Sequence, residues 1–198
     1  VSRGLGDVYK RQVLYGRLID IANRGSEIAI LAIGMTLTIA VSAGTDISVG
    51  SVMALVASCC CTSLVGYGVS SASAVKHPII FGVLFGLFIG GICGCFNGFM
   101  VSKLKVQPMV ATLVLYTAAR AIGLVVSNNQ ITYVRVKEYK YLGNFWHIGN
   151  WECPIPTPIF VAIICVILAT ILLKKTALGM YIQAVGINPK AARIMGIN

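Results

Sequence analysis

Asp46 is the side chain of this sequence best placed to do chemistry. It is the one charged residue between Ile28 and Val75, a stretch that is mostly apolar. A carboxylate is costly in lipid, so it is expected to face protein or a water-filled path. Gly44 and Gly50 flank it and allow the backbone to bend there. The stretch 44–50 therefore indicates either a broken polar element inside the membrane or a tight turn at its surface, and both remain open.

The other reactive side chains do not combine into a site. His77 and His147 are isolated, and no Ser/His/Asp set follows from the spacing. The seven cysteines lie mostly in apolar runs and lack metal-ligand spacing, so we expect neither a metal site nor a disulfide framework. We predict no catalytic residue and no cofactor, and a membrane enzyme is the weakest hypothesis.

Composition indicates a membrane protein. Of 198 residues, 57% are hydrophobic and 11% are charged, and the mean hydropathy is +0.85. Soluble domains carry roughly 25% charged residues, so an ordinary soluble globule is excluded. The net charge of +10 suits a membrane protein with basic cytoplasmic loops. Nucleic-acid binding is not expected, because no basic face is interleaved with aromatic residues.

The elements that must position Asp46 are helices. We predict an all-α, polytopic transmembrane bundle, in which each span needs about 20 apolar residues. The five predicted spans are about 28–45, 49–68, 79–101, 109–127 and 157–173. Residues 13–27 are expected to form an interfacial lead-in and 128–156 a long polar loop. Lys and Arg are densest around 103–105 and 174–193, which predicts that these segments are cytoplasmic.

Two of these spans carry further features. In the third span, a glycine recurs every fourth residue from Gly82 to Gly98, which is typical of close helix packing. Asn97, beside that stripe, is a candidate either for a polar lumen or for an interhelical hydrogen bond. In the fourth span, Arg120 needs a partner or water. Snorkelling or pairing with a helix end is favoured over contact with a solute.

Several motifs, in order, resemble permease subunits of simple-sugar ABC importers of the ribose, xylose, galactose and furanose type. Residues 34–36 and 44–52 (GMT, GTDISVGSV) resemble the G-G-I-D-L-S-V-G-S signature, with Thr45 in place of the second Gly. Residues 96–98 and 106–113 (FNG, VQPMVATL) resemble the N-G and V-x-P-x-x-A-T-L segment, and Arg120 matches the arginine that follows. Residues 176–197 resemble T-x-x-G-x-x-x-x-A-x-G-x-N-x-x-A-A-R-x-x-G-I.

The resemblance implies a multi-pass permease of the bacterial inner membrane. It implies import of a pentose, hexose or furanose with three kinds of partner: an ABC ATPase, a second permease subunit that is identical or different, and a periplasmic or lipoprotein sugar-binding protein. ATP hydrolysis would belong to the ATPase, because this chain has no Gly-rich phosphate loop. The residues expected along the translocation path are Asp46, Ser48, Asn97, Thr112 and Arg120.

Residues 176–198 would then couple the permease to the ATPase. The residues expected to serve this role are Gly186, Asn188, Ala191, Ala192, Arg193 and Gly196. The two alanines would let a short helix seat in a cleft of the ATPase, and Arg193 would pair with an acidic rim. Asn188 would cap that helix, with Pro189 in its first turn. Gly186 and Gly196 would allow a sharp entry and exit.

Two other transport functions fit the same sequence features, and the first twelve residues differ in character from the rest. The same superfamily scaffold could serve branched-chain amino acids, or a broken helix at Asp46 could couple to protons or sodium in a secondary transporter. Residues 1–12 are polar and resemble translated adaptor read-through, so we expect a non-native leader. Residues 13–198 would then be a partial transmembrane permease domain, because family members continue through further spans.

Overall fold

Helices dominate the computed structural model, which describes residues 2–42, 44–67, 71–72, 77–131, 133–134, 145–148 and 151–197. The helices found in these residues are α1 (Ser2–Ser42), α2 (Val49–Val65), α3 (Ile79–Ser102), α4 (Pro108–Val126), α5 (Thr157–Lys175), α6 (Ala177–Ile187) and α7 (Pro189–Ile194). The predicted all-α class is confirmed, and the break between α1 and α2 falls at the predicted place.

Short strands occupy parts of the connections between helices. β1 (Ser71–Ala72) pairs in parallel with β2 (Tyr133–Val134). β3 (Phe145–Ile148) and β4 (Trp151–Pro156) form an antiparallel pair. We predicted a polar loop over 128–156, and its described part contains three of these strands. Aromatic and β-branched residues in this stretch favour strand pairing.

Four helical segments in the described part are long and apolar enough to cross a membrane. They are Arg17–Ser42, Ile79–Ser102, Pro108–Val126 and Thr157–Lys175. The protein is therefore a multi-pass membrane protein. The apolar helix α2 has 17 residues, so at 1.5 Å per residue it is shorter than a hydrocarbon core of about 30 Å. The lead-in predicted at 13–27 is helical and continuous with the first span, since no proline interrupts it.

The chain divides into two compact units, and the predicted path residues lie in one of them. The first unit comprises Val1–Gly34 and Lys140–Met180, and the second comprises Met35–Tyr139 and Tyr181–Asn198. Within the first unit, α5 ends at Lys175, and Thr176 in an extended conformation separates it from α6. The Thr176 hydroxyl donates to the Leu172 carbonyl, and a Cβ at Gly179 would collide with the carbonyl oxygen of Leu173.

The second unit is centred on α2, which packs against both α3 and α4. Its buried cluster consists of Leu55, Cys93, Leu115 and Ala119. Small residues on α4 allow the close approach of α2. Ala119 is fully buried, and a Cβ at Gly123 would lie 3.4 Å from the Leu55 Cα. On α3 many large apolar side chains point outward and are exposed, as expected for a surface that meets lipid.

Candidate functional site

The segment that separates α1 from α2 is held in place by close backbone contacts. Its described residues, 44–48, have no regular structure. The Gly44 N–H donates to Ser42 Oγ at 3.3 Å, and Ser42 Oγ–H donates to the Thr38 carbonyl at 2.9 Å. A Cβ at Gly44 would lie 2.5 Å from Pro108 Cβ. A glycine is therefore required at position 44 because the start of α4 approaches so closely.

Asp46 is the acceptor at one end of a short hydrogen-bonded chain. Its Oδ1 accepts from the Ser48 N–H at 2.8 Å and from Ser48 Oγ–H at 2.6 Å. Ser48 is 2% exposed, and its Oγ accepts in turn from Asn97 Nδ2 at 3.2 Å. Asn97 thus donates to Ser48, and Ser48 donates to Asp46. This order ties the broken segment to α3 through a buried serine.

Thr112 ties the same segment to α4. Its Oγ1 accepts from the Ile47 N–H at 3.3 Å and donates to the Met109 carbonyl at 3.1 Å. Thr112 is 3% exposed, so this contact lies inside the protein. Four of the five predicted path residues therefore come together around the break: Asp46, Ser48, Asn97 and Thr112.

A cavity of about 420 Å³ lies beside this network. Its polar lining includes Thr38, Ser42, Thr45, Asp46, Asn97, Ser102 and Thr112, and its apolar lining includes Leu37, Val41, Val101 and Pro108. Among the described residues that line it, Asp46 is the charged one, and neither Lys nor Arg is present. The cavity therefore combines an apolar wall with a carboxylate and several hydroxyl and amide groups, which is the usual make-up of a small-molecule site.

One polar atom beside the cavity has an unused hydrogen-bonding capacity. Asn97 Oδ1 is buried and, within the described part of the chain, has no hydrogen-bond partner. Its Nδ2 is already engaged with Ser48 Oγ, which itself donates to Asp46, so the amide orientation is consistent with the network. An unpaired buried acceptor costs about 1–3 kcal/mol. A donor such as a hydroxyl group is the complement that this atom lacks.

The glycine stripe of α3 forms both a packing surface and part of the cavity. A Cβ at Gly82 would lie 2.9 Å from Leu64 Cδ1, and a Cβ at Gly86 would lie 2.5 Å from Cys60 Sγ. Gly94 and Gly98 have no described atom within 4 Å of the position of a Cβ, and both line the cavity. The predicted packing role is therefore confirmed for Gly82 and Gly86, whereas Gly94 and Gly98 line the cavity in the described part of the chain.

Arg120 lies apart from the other predicted path residues. It is exposed on α4, and its Nη1 donates to Tyr116 OH at 3.4 Å. It does not line the cavity. Thr45, Ser102 and Pro108 do line it, although they are not among the predicted path residues. Thr45 is the neighbour of Asp46, and Ser102 and Pro108 lie at the two ends of the connection from α3 to α4. These positions could have indicated that the three residues lie near the path.

The predicted coupling segment forms α6 and α7. Asn188 Oδ1 accepts from the N–H groups of Lys190 and Ala191, each at 3.1 Å, so the predicted N-cap is confirmed. Gly196 has a φ of +84° and ends the segment as expected. The sharp entry predicted at Gly186 is wrong, because α6 continues through it.

The exposed surface of α7 differs from the one that we predicted. Ala192 is only 1% exposed and packs inside the protein, so it cannot seat in a cleft of another subunit. Ile194 is 87% exposed, and Arg193 is exposed beside it. Ala191 is half-buried. The surface that α7 offers to a partner therefore includes Arg193 and Ile194, together with the exposed Pro189 and Lys190.

The described residues offer little to a metal ion, since no group of three or more His, Cys, Asp or Glu side chains comes together among them. The six cysteines whose side chains are described are free thiols. The polar side chains that line the cavity can bind a solute reversibly through hydrogen bonds.

Known proteins similar to this chain are permeases. It is 40% identical over 93% of its length to the galactofuranose transporter permease of Escherichia coli. It is 36% identical over 93% to the fructose import permease of Bifidobacterium longum, and 35% identical over 91% to the ribose import permease of Escherichia coli. The matches cover 50%, 49% and 53% of these proteins, so the chain spans about half the length of these curated relatives.

No solved structure gives a significant match to the chain. A family model, described as the permease component of the branched-chain amino acid transport system, matches residues 17–198. This range contains the broken segment, the cavity and the segment over α6 and α7. The chain therefore belongs to this family of transport-system permeases, and it resembles the simple-sugar permeases within it.

Proposed function

We propose that this chain is part of the permease subunit of an ABC importer that moves a simple sugar across the bacterial inner membrane. The observation that carries the proposal is the cavity beside Asp46, in which a carboxylate and several hydroxyl-bearing side chains meet an apolar wall. The names of the relatives, which are galactofuranose, fructose and ribose permeases, support a sugar as the solute.

The electrostatics of the cavity favour a sugar over a branched-chain amino acid. The Asp46 carboxylate is an acceptor, and the hydroxyl groups of a sugar can donate to it and exchange hydrogen bonds with the hydroxyl-bearing side chains of the lining. An amino acid is a zwitterion, and its ammonium group could pair with Asp46. Its carboxylate, however, would find no cationic side chain among the described lining residues, and an unpaired charge is costly in such a site. The apolar wall suits the C–H faces of a sugar ring.

ATP hydrolysis would reside in a separate ATPase, with a second permease subunit and a sugar-binding protein completing the importer. We place the ATPase contact on the exposed side of α7, at Arg193 and Ile194, because Ala192 is buried. Asn188 and Gly196 would fix the two ends of that helix. The basic residues at 103–105 and in α7 support a cytoplasmic location for this surface.

Sugar-stimulated ATP hydrolysis tests the proposal. The full-length permease is co-expressed with its ATPase and binding protein, reconstituted in liposomes, and assayed with pentoses and hexoses. We expect sugar-loaded binding protein to stimulate hydrolysis. Ile194→Glu should abolish this stimulation because it places a charge on the exposed apolar contact.

Ile131→Glu is the matched control, since Ile131 is also highly exposed, at 73%. It follows the C-terminal end of α4, whereas the basic segment at 103–105 precedes the N-terminal end of that helix. This variant should leave the association with the ATPase unchanged. If no ATPase associates with the wild type, and uptake instead follows a proton or sodium gradient and is lost in Asp46→Asn, the permease is an ion-coupled secondary transporter. If leucine or valine stimulates hydrolysis and sugars do not, the solute is an amino acid.

A further inference from the structure

Gly186 brings the last turn of α6 into direct contact with the backbone of α1. A Cβ at Gly186 would collide with the carbonyl oxygen of Ala40 and lie 3.3 Å from its carbonyl carbon. The obstacle is backbone, so no side-chain rotation could relieve it. Gly186 lies within the helix α6 and has no positive φ, so its backbone conformation does not require glycine. Its lack of a side chain is therefore a requirement of this contact.

Ala40 lies two residues before the end of α1, and the next contacts lead directly to the cavity. Ser42, the last residue of α1, accepts a hydrogen bond from the Gly44 N–H at 3.3 Å. Its single hydroxyl hydrogen can be donated to the Thr38 carbonyl at 2.9 Å or to the Gly44 carbonyl at 3.4 Å. Gly44 is in turn packed against Pro108. The end of α1 cannot shift without moving the broken segment.

The broken segment carries the charge of the cavity. Asp46 follows Gly44 by two residues and is fixed by Ser48, which is bonded to Asn97 on α3. Displacement of Gly44 therefore changes the position of the Asp46 carboxylate relative to Asn97. A contiguous series of close contacts of this kind can transmit a displacement between distant sites, because packed backbone does not deform continuously.

We propose that Gly186 is a positioning residue, whose contact with Ala40 transmits movement of the segment over α6 and α7 to Asp46. The inference rests on the proposed function, in that the ATPase supplies the movement. Each nucleotide-driven shift of α6 would move the end of α1, and Ser42 and Gly44 would carry that shift to the cavity. Gly186 thus acts through other residues and does not touch the sugar.

Transport per ATP hydrolysed tests the proposal in the full-length reconstituted importer. Gly186→Ala should keep ATP hydrolysis and lower the sugar moved per ATP by about tenfold, which lies within the usual range of coupling between sites. Gly91→Ala is the matched control, because Gly91 is also helical and has no described atom within 4 Å of a Cβ. It should behave as the wild type.

A second variant covers the case in which Gly186→Ala fails to assemble. Ser42→Ala removes the hydroxyl that links α1 to Gly44 and adds no volume, and it should also lower transport per ATP, by about fivefold. Because Ser42 also lines the cavity, transport per ATP is measured at saturating sugar, where weaker sugar binding does not lower it. Unchanged transport per ATP in Ser42→Ala and in any assembled Gly186→Ala overturns the proposal.

A labelling experiment separates this proposal from the proposed function. Thr45 lines the cavity and is exposed, so a cysteine there can be labelled. The seven native cysteines are changed to alanine, and Thr45→Cys is added as the single thiol. In this single-cysteine protein, ATP with vanadate should change the rate at which a thiol reagent labels position 45. The additional substitution Gly186→Ala should abolish that change. An equal change in both proteins overturns the role of Gly186 alone. No change in either, with no bound ATPase, overturns the proposed function as well.

Discussion

The two halves of the glycine stripe on α3 share one sequence pattern and have opposite surroundings. Gly82 and Gly86 are buried, with α2 side chains so close that a Cβ would lie within 3 Å of them. Gly94 and Gly98 are exposed and line the cavity beside Asp46. The first half serves helix packing, and the second half leaves space.

The difference comes from what lies opposite each half. Along the first half, α2 is a regular helix whose Leu64, Cys60 and Val56 fill the surface left open by the glycines. Near the second half, the chain is the non-helical segment 44–48, whose polar groups bond to one another and to Asn97. A stripe of small residues therefore marks a surface that something can approach closely, and the facing element decides whether that is a helix or a solute.

Filling the packed half should have the largest effect on the fold. Gly86→Leu would force Cys60 and Val56 aside, because a Cβ alone would lie 2.5 Å from Cys60 Sγ and 3.1 Å from Val56 Cγ1. Overpacking of this kind costs about 1–3 kcal/mol, so the melting temperature in detergent should fall by several degrees. Gly94→Leu is the control and should melt like the wild type. Equal losses in the two variants would remove the distinction between the halves.

Removing the charge from the open half should reduce transport and leave the fold intact. Asp46→Asn keeps an oxygen that can accept from Ser48, but it loses the stronger bonds of a charged acceptor. We expect sugar uptake by the reconstituted importer to fall about tenfold, equivalent to ~1.4 kcal/mol. Asp20→Asn changes an exposed carboxylate on α1 that does not line the cavity, and it should have no effect. Undiminished uptake in Asp46→Asn would exclude the carboxylate from the path.

A charge outside both halves should matter least. Arg120 is exposed on α4 and bonds to Tyr116, so Arg120→Gln should change uptake by no more than about twofold, as for other exposed charges. Initial rates of uptake, normalised to the amount of assembled importer, measure this effect. A loss as large as that of Asp46→Asn would return Arg120 to the path.

The helical class and the position of the break could be predicted, because both follow from local properties. Long apolar runs require helices in lipid, and an isolated Asp between glycines marks a place where the helix is interrupted. The cap at Asn188 was predictable for the same reason, since it depends on neighbouring residues alone.

Features that depend on distant contacts could not be predicted. The burial of Ala192 and the contact of Gly186 with Ala40 require the tertiary arrangement, so a small residue in a motif was read as an external surface or a turn. The position of Ser48 between Asn97 and Asp46 likewise joins residues 49 apart in the chain. Spacing identifies candidates, and packing decides which of them meet.

Sugar uptake by two matched glycine variants tests the central claim, that the solute passes through the cavity at the open half of the stripe. Gly94→Leu places a large side chain in the cavity, whereas Gly91→Leu places it on an exposed face of the same helix, one turn away, with no described neighbour within 4 Å of a Cβ. Both variants are built in the full-length importer and checked for assembly and ATP hydrolysis. We predict that Gly94→Leu loses uptake by about tenfold or more and that Gly91→Leu retains it. Equal uptake by the two variants would contradict the account.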